Sequence, residues 1–301
     1  MKSIRQRRGI RLPPPPTPDV FSPIRGRVVA LRKRAIARSF QLILGRAPGR
    51  PKPAPQTQVD RVHVRPEGAR TRDRLTFFFD LDNTLHDASH AIFGQINLRM
   101  TAYVREHLGL SEAEADALRQ RYWQRYGATL MGLVRHHGVR ADHFLRTTHD
   151  IDLPALVRFE RGLVQLFARL PGRKVLLTNA PGVYAAAVLR QIGLHGKVAR
   201  RYTIETMRVH GSYRPKPSRN MLRQVLARER LRGTQAVLVE DTAINLKAAK
   251  ALGWRTVLIT HGSQVAGGRR ARAPYVDLQV RSVRDLPRRL HALRRGVMDG
   301  R

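Results

Sequence analysis

Two aspartates stand two residues apart, as Asp80-Leu-Asp82, at the end of a short apolar run, residues 75–79 (LTFFF). A second apolar run, 236–240 (AVLVE), ends in Glu240 and is followed by Asp241. A third, 174–178 (KVLLT), ends in Thr178, with Asn179 next. Read as strands, these runs bring carboxylates and a hydroxyl to one end of a sheet, and open α/β sheets bind ligands beyond the carboxyl ends of their strands. The chain has only 22 acids in 301 residues, so random placement does not account for this convergence. The chemistry such a set can perform is phosphoryl transfer. Asp80 and Asp241 can offer carboxylates to a hard magnesium ion, which takes oxygen ligands together with water and substrate phosphate. Asp80 can attack phosphorus as a covalent nucleophile, giving an aspartyl-phosphate. Asp82 can protonate the leaving oxygen and later activate water. Lys216, between Pro215 and Pro217, and the Thr178 hydroxyl can hold phosphate oxygens as charge redistributes.

Each of these residues also has a plainer use. Asp80 and Asp82 can cap a helix after a strand, Thr178 can cap a turn, and Lys216 can be a surface lysine. Glu240 is expected behind the ligands rather than among them. Asn245, one turn into the next helix, either orients Asp241 or faces solvent. Thr84 is expected to hydrogen-bond the turn that carries the two aspartates.

Positioning these residues takes strands alternating with helices. Beyond the three runs above, strands are expected at 201–205 and 256–259, the latter the last clear one, and helices at 183–192, 218–229 and 244–252. Apolar strands alternating with helices imply a parallel sheet with crossover helices. Between the first two strands the pattern is helical. Asp87 or Ser89 can cap a helix running to 108. Ser111 with Glu114 forms a capping box for a helix ending near Gly127. Further helices are expected at 130–137, 141–149 and 153–170. The fold class is therefore α/β: a Rossmann-like doubly wound parallel sheet with an inserted helical cap. The catalytic core spans 75–85 and 171–262, the cap 86–170. A basic tail, 263–301, ends in a helix near 286–295.

Residues 1–74 read as a disordered basic extension. They hold 11 of the 18 prolines and 19 Lys/Arg against 4 acids, and such a stretch cannot bury enough apolar surface to fold alone. Within it, 24–44 has the pattern of a basic amphipathic helix; an unstructured tail or a misassigned start fits the same stretch. The formal net charge is +35. The basic residues are 49 Arg and 8 Lys, a skew that genome base composition produces as readily as function does, so nucleic acid is not the expected partner. With no cysteine there are no disulfides, thiolate metal sites or thiol nucleophile. No apolar run nears 18 residues, so no membrane span is expected. No secretory signal follows the first arginines, and the expected location is the cytoplasm. There is no Gly-rich phosphate loop of the Walker type.

The motifs, in order, resemble those of the haloacid dehalogenase-like superfamily: Asp80-Leu-Asp82-Asn-Thr84-Leu as motif one, Leu176-Leu-Thr178-Asn179 as motif two, Lys216 within Arg214-Pro-Lys-Pro as motif three, and Glu240-Asp241-Thr-Ala-Ile-Asn245-Leu as motif four. The gap of about 90 residues between motifs one and two is similar to the helical cap that such enzymes insert there. The resemblance implies magnesium held by Asp80, Asp82 and Asp241, and phosphate held by Thr178, Asn179 and Lys216. Asp at the second position of motif one resembles the phosphatases rather than the dehalogenases. With Arg121-Tyr-Trp-Gln-Arg-Tyr-Gly127 in the cap, the chain is similar to the pyrimidine 5'-nucleotidase group, which implies hydrolysis of nucleoside 5'-monophosphates. Tyr122 and Tyr126 then offer aromatic faces to a pyrimidine ring, and His86 is a candidate substrate contact. Residues 195–213 depart from the family pattern, lacking its usual strand start. Two other readings stand beside this one: another small-metabolite phosphatase or phosphomutase, acting for instance on phosphoglycolate or a sugar phosphate, and a nucleic-acid-associated protein with a relic enzyme core.

Overall fold

The computed structural model describes residues 75–261 and 273–295. The expected extension 1–74, the candidate helix at 24–44, and the tail segments 262–272 and 296–301 lie outside the described residues.

Six strands form one parallel sheet: β1 (Thr76–Phe79), β2 (Arg173–Leu177), β3 (Arg200–Tyr202), β6 (Ala236–Glu240), β7 (Arg255–Ile259) and β8 (Leu278–Val280), in the order β3-β2-β1-β6-β7-β8. A central parallel strand is covered on both faces, which is why β1 is buried at every position rather than alternating. Its side chains alternate by face. Phe77 and Phe79 join one core cluster and Phe78 the other. Helices α7 (Gly182–Gln191) and α6 (Leu163–Arg169) cover the first face, with Phe167 packed 4.8 Å from Phe79 between ring centres. Helices α8 (Arg219–Glu229) and α9 (Ala243–Lys250) cover the second, where Trp254 lies 4.7 Å from Phe78. This is the Rossmann-like α/β arrangement the strand pattern implies.

Between β1 and β2 the chain builds α1 (Ile92–Leu108), α2 (Glu112–Tyr126), α3 (Thr129–His137), α4 (Ala141–Thr148) and the short α5 (Leu153–Leu156) before α6. Residues of α1 to α4 bury Tyr103, Val104, Tyr122, Leu133 and Phe144 in a further core, which Ile204 from beyond β3 also joins. Ser111 and Glu114 form the expected reciprocal capping box, and Gly109 and Gly127 close α1 and α2 in the left-handed conformation.

Four elements differ from the sequence reading. Helix α1 starts after Ala91 with no side-chain cap, because Asp87 accepts instead from the His90 amide and Ser89 is bound to Asn83. The helix expected over 153–170 is broken: Asp87 pairs through its amide with the Arg158 carbonyl at 2.7 Å, so 158 runs as an extended linker and α6 restarts after Gly162. Within 195–213 a small hairpin, β4 (Arg208–Val209) with β5 (Ser212–Tyr213), follows β3. The last strand is not at 256–259; β8 pairs with β7 beyond it, and helix α10 (Leu286–Arg295) follows. Three residues with one outward-facing Gln279 are too short a run for periodicity to announce a strand.

Candidate active site

Strand β1 lies between β2 and β6, where the order of strands reverses, and the crevice beyond these three ends is the ligand site of such sheets. Asp80 leaves the end of β1 with its amide bonded to the Val239 carbonyl. Thr178 leaves β2, Glu240 ends β6, and Asp241 follows it. Lys216 arrives from the loop between β5 and α8. Its ammonium sits 2.8 Å from Asp80 Oδ1 and 2.6 Å from Glu240 Oε2, and it is fully enclosed.

Asn179 explains how that lysine is held. Its side-chain Nδ2 donates to the Lys216 carbonyl at 3.0 Å, and its Oδ1 accepts from the Lys216 amide at 2.9 Å. Asn179 therefore clamps the lysine's backbone, a positioning task that the sequence did not announce. Thr178 accepts from the Ala180 amide through Oγ1, capping the turn and leaving its own hydroxyl hydrogen for a ligand.

Asp80, Glu240 and Asp241 bring carboxylate oxygens within 4.8 Å of one another. Burial, then the charge of Glu240, push the Asp80 carboxyl well above the ordinary range against the pull of Lys216. Burial likewise raises Glu240 and Asp241. Burial alone lowers the Lys216 ammonium, but the carboxylates of Asp80 and Glu240 outweigh it and raise it. Three carboxylates against one ammonium leave the cluster short of positive charge. Its all-oxygen donor set fits a hard divalent cation. Glu240, expected behind the ligands, thus belongs to the cluster; it also accepts from the Thr242 amide. Asp82, expected among the metal ligands, has its carboxylate elsewhere.

Asp82 Oδ1 accepts from the Tyr184 hydroxyl at 2.6 Å and lies 2.9 Å from His86 Nε2. Burial pushes this carboxyl up, but the hydrogen bonds from His86 and Tyr184 outweigh it and hold Asp82 below its ordinary value. His149, at the end of α4, stands edge-on to the Tyr184 ring at 5.6 Å. His86 is therefore a buried partner of Asp82, not an exposed substrate contact.

Other expectations are corrected in the same way. The Thr84 hydroxyl is buried with no hydrogen-bond partner, and its amide rather than its side chain closes the turn onto Leu81. Asn245 is buried, which removes the solvent-facing alternative. Tyr122 lies in the core of the cap with its hydroxyl 2.8 Å from His137 Nε2. It seats against Gly132, where a Cβ would come within 2.1 Å of its ring. Tyr126 is half-buried at the end of α2, its hydroxyl 2.6 Å from His136 Nε2. The next residue, Gly127, abuts the Lys216 carbonyl and Pro217, where a Cβ would lie at 3.4 and 3.5 Å. This turn brings the cap against the loop of the buried lysine. Tyr184 is the site residue the sequence reading missed. Its only signal is its place in the first turn of the helix after Thr178, at the same end of the sheet.

The profile of the haloacid dehalogenase-like hydrolase family matches residues 75–253, more than half of the chain and all four motifs. The chain is a haloacid dehalogenase-like hydrolase. This hydrolase is 33% identical over 81 residues to phosphate metabolism protein 8 of Saccharomyces cerevisiae, a stretch covering 27% of its length and 25% of the yeast protein's. The match thus spans about a quarter of that curated relative. Its fold is similar to that of a crystallised HAD phosphatase from Thermococcus onnurineus, with a TM-score of 0.51 at 16% identity over 73% of this chain and 98% of that one. Among the described residues of the hydrolase, no helix is long and apolar enough to cross a membrane.

Proposed function

We propose that this hydrolase is a magnesium-dependent phosphomonoesterase that works through an aspartyl-phosphate on Asp80 and takes nucleoside 5'-monophosphates, pyrimidines preferred. The observation that carries the reading is the division of two neighbouring aspartates. Asp80 shares a buried cluster with Lys216, Glu240 and Asp241, while Asp82 is held apart by Tyr184 and His86. One carboxylate is equipped to meet phosphorus and the other to handle a proton.

Asp80, Glu240 and Asp241 would hold the magnesium ion, whose charge offsets the repulsion between a phosphate dianion and these carboxylates. Asp80 attacks phosphorus; the new bond from its carboxylate oxygen forms as the bond from phosphorus to the leaving oxygen breaks. The leaving oxygen takes its proton from Asp82 and departs as an alcohol. A water oxygen then attacks phosphorus, its proton passes to Asp82, and the Asp80–phosphorus bond breaks to release inorganic phosphate. Lys216 and the Thr178 hydroxyl face the charge carried by the phosphoryl oxygens. A phosphate dianion beside Asp82 raises that carboxyl's proton affinity, so substrate itself favours the protonated acid.

The nucleotide preference rests on the family likeness of the segment 121–127 and on Tyr126 at the turn beside Lys216. The burial of Tyr122 favours a second reading, a phosphatase for smaller metabolites such as phosphoglycolate or a sugar phosphate, since one of the two expected aromatic faces is used inside the cap. A nucleic-acid role with a relic core is opposed by the complete acidic set. The test is kcat/KM for phosphate release with magnesium across UMP, CMP, AMP, GMP, a hexose phosphate and phosphoglycolate. UMP and CMP are expected to lead by about 10–200-fold. Better turnover of phosphoglycolate than of any nucleotide overturns the nucleotide reading, and no release from any ester overturns the phosphomonoesterase.

A further inference from the structure

Asp82 is the general acid and base of the reaction above, and a carboxylic acid on a turn is useful only if its proton-bearing oxygen is aimed. Two donors converge on one of its oxygens. The Tyr184 hydroxyl donates to Oδ1 at 2.6 Å, His86 Nε2 lies 2.9 Å from the same atom, and neither engages Oδ2. Both partners are 2% exposed. His86 Nδ1 is buried with no hydrogen-bond partner, which puts the ring hydrogen on Nε2, where it donates to the carboxylate. The enclosed Tyr184 hydroxyl faces a carboxylate oxygen, which can only accept, so the phenol is the donor of this pair. The anchors come from different parts of the chain. Tyr184 is on α7 of the core, His86 is on the linker into the cap, and His149 of the cap packs edge-on against the Tyr184 ring.

We propose that Tyr184, supported by His86, is the positioning residue for Asp82: it pins Oδ1 and so leaves Oδ2 as the oxygen that gives and takes the proton. The proposal rests on the phosphomonoesterase reading and deepens it. With Oδ1 occupied by two donors, a proton on the carboxyl resides on Oδ2, and rotation about the last side-chain bond, which would exchange the two oxygens, must break both hydrogen bonds. Reactive geometry tolerates little angular error, so this restraint acts on rate rather than on substrate affinity.

The discriminating variant is Tyr184→Phe, which removes one hydroxyl and keeps the ring that packs on His149. The probes are p-nitrophenyl phosphate, whose leaving group needs little protonation, and an alkyl phosphate, whose leaving group needs a full proton. We expect kcat/KM to fall about 10–100-fold for the alkyl ester and less than about 3-fold for the p-nitrophenyl ester, with KM little moved. In an Asp82→Asn background the same change should add nothing, because its effect passes through the missing carboxyl. His86→Gln keeps an N–H donor near the position of Nε2 and should retain more alkyl phosphatase activity than His86→Leu. Equal losses on both esters accompanied by a lower melting temperature would mark Tyr184 as a packing residue and overturn the proposal. So would an undiminished alkyl reaction in Tyr184→Phe while Asp82→Asn is impaired; that result leaves the phosphomonoesterase reading intact. A wild-type enzyme inert toward both esters removes that reading and this proposal with it.

Discussion

Asp80 and Asp82 are separated by one residue and live in opposite surroundings. Asp80 is buried and crowded by Glu240 and pushed up, whereas Asp82, also buried, accepts two hydrogen bonds that hold it down. Replacing Asp80 by Asn should therefore separate chemistry from folding. Turnover of p-nitrophenyl phosphate is expected to fall by at least about 10²–10³-fold, since the proposed nucleophile is gone. Without metal the variant should melt no lower than wild type, because a repelled buried charge has been removed. Added magnesium should raise the melting temperature of wild type, by an amount worth about 2.7 kcal/mol at a hundredfold excess over Kd, and raise the variant less. An equal magnesium response in both proteins would place the ion elsewhere. Asp82 behaves in the opposite sense with pH. A carboxyl held below its unfolded value of about 3.9 stabilises the fold above that value and loses the contribution as pH falls through the folded one. The gap in urea midpoint between wild type and Asp82→Asn should thus be complete at about pH 6 and shrink toward about pH 3. A gap that grows on acidification would contradict the assigned hydrogen bonds.

At the scale of elements, three strand ends and one loop assemble the site, and the cap reaches it through the Gly127 turn and through His149 against Tyr184. The register of β1 with β2 and β6 brings Asp80 level with Glu240 and one step short of Thr178: Phe79 pairs with Leu176 on one side and Val239 on the other. Asp80, Thr178 and Asp241 each directly follow a strand, so a slip of one residue would turn both the core side chains and the site to the wrong face. In the cap, the approach of α2 to α3 depends on Gly132, over which the Tyr122 ring lies. Gly132→Ala should cost about 1–3 kcal/mol of stability, measured by urea unfolding, because a methyl group there collides with a ring already enclosed. An unchanged midpoint would show that Tyr122 can move away freely, which its bond to His137 opposes.

For the whole molecule, the described core begins at Leu75 and the first strand is the central one. A shortened chain starting at Arg72 should keep cooperative unfolding and full activity, since the described residues packed on both sheet faces all lie beyond that point. Loss of the folded state on shortening would assign the preceding segment a structural role. The same cut removes most of a stretch carrying 19 Lys/Arg against 4 acids. Retained binding to random duplex DNA after shortening would therefore locate any nucleic-acid affinity in the enzyme core itself.

Local pattern determined much of this protein. The short, mostly apolar run before Asp80 reads as a strand buried on both faces, and the ordered motifs place their acids, hydroxyl and lysine at strand ends or in the loops beside them. The capping box at Ser111 and the helix over 286–295 are legible for the same reason: neighbouring residues supply all the interactions that define them. Tertiary structure alone decided which partners each side chain meets. Asn179 reaches a backbone 37 residues away, and Tyr184 reaches a carboxylate 102 residues away. Tyr122 turns inward because Gly132, on the next helix, makes room for its ring. Periodicity reports whether a residue is covered. It carries no information on what covers it, because that depends on how crossovers separated by many residues pack, and on the register in which the strands between them pair.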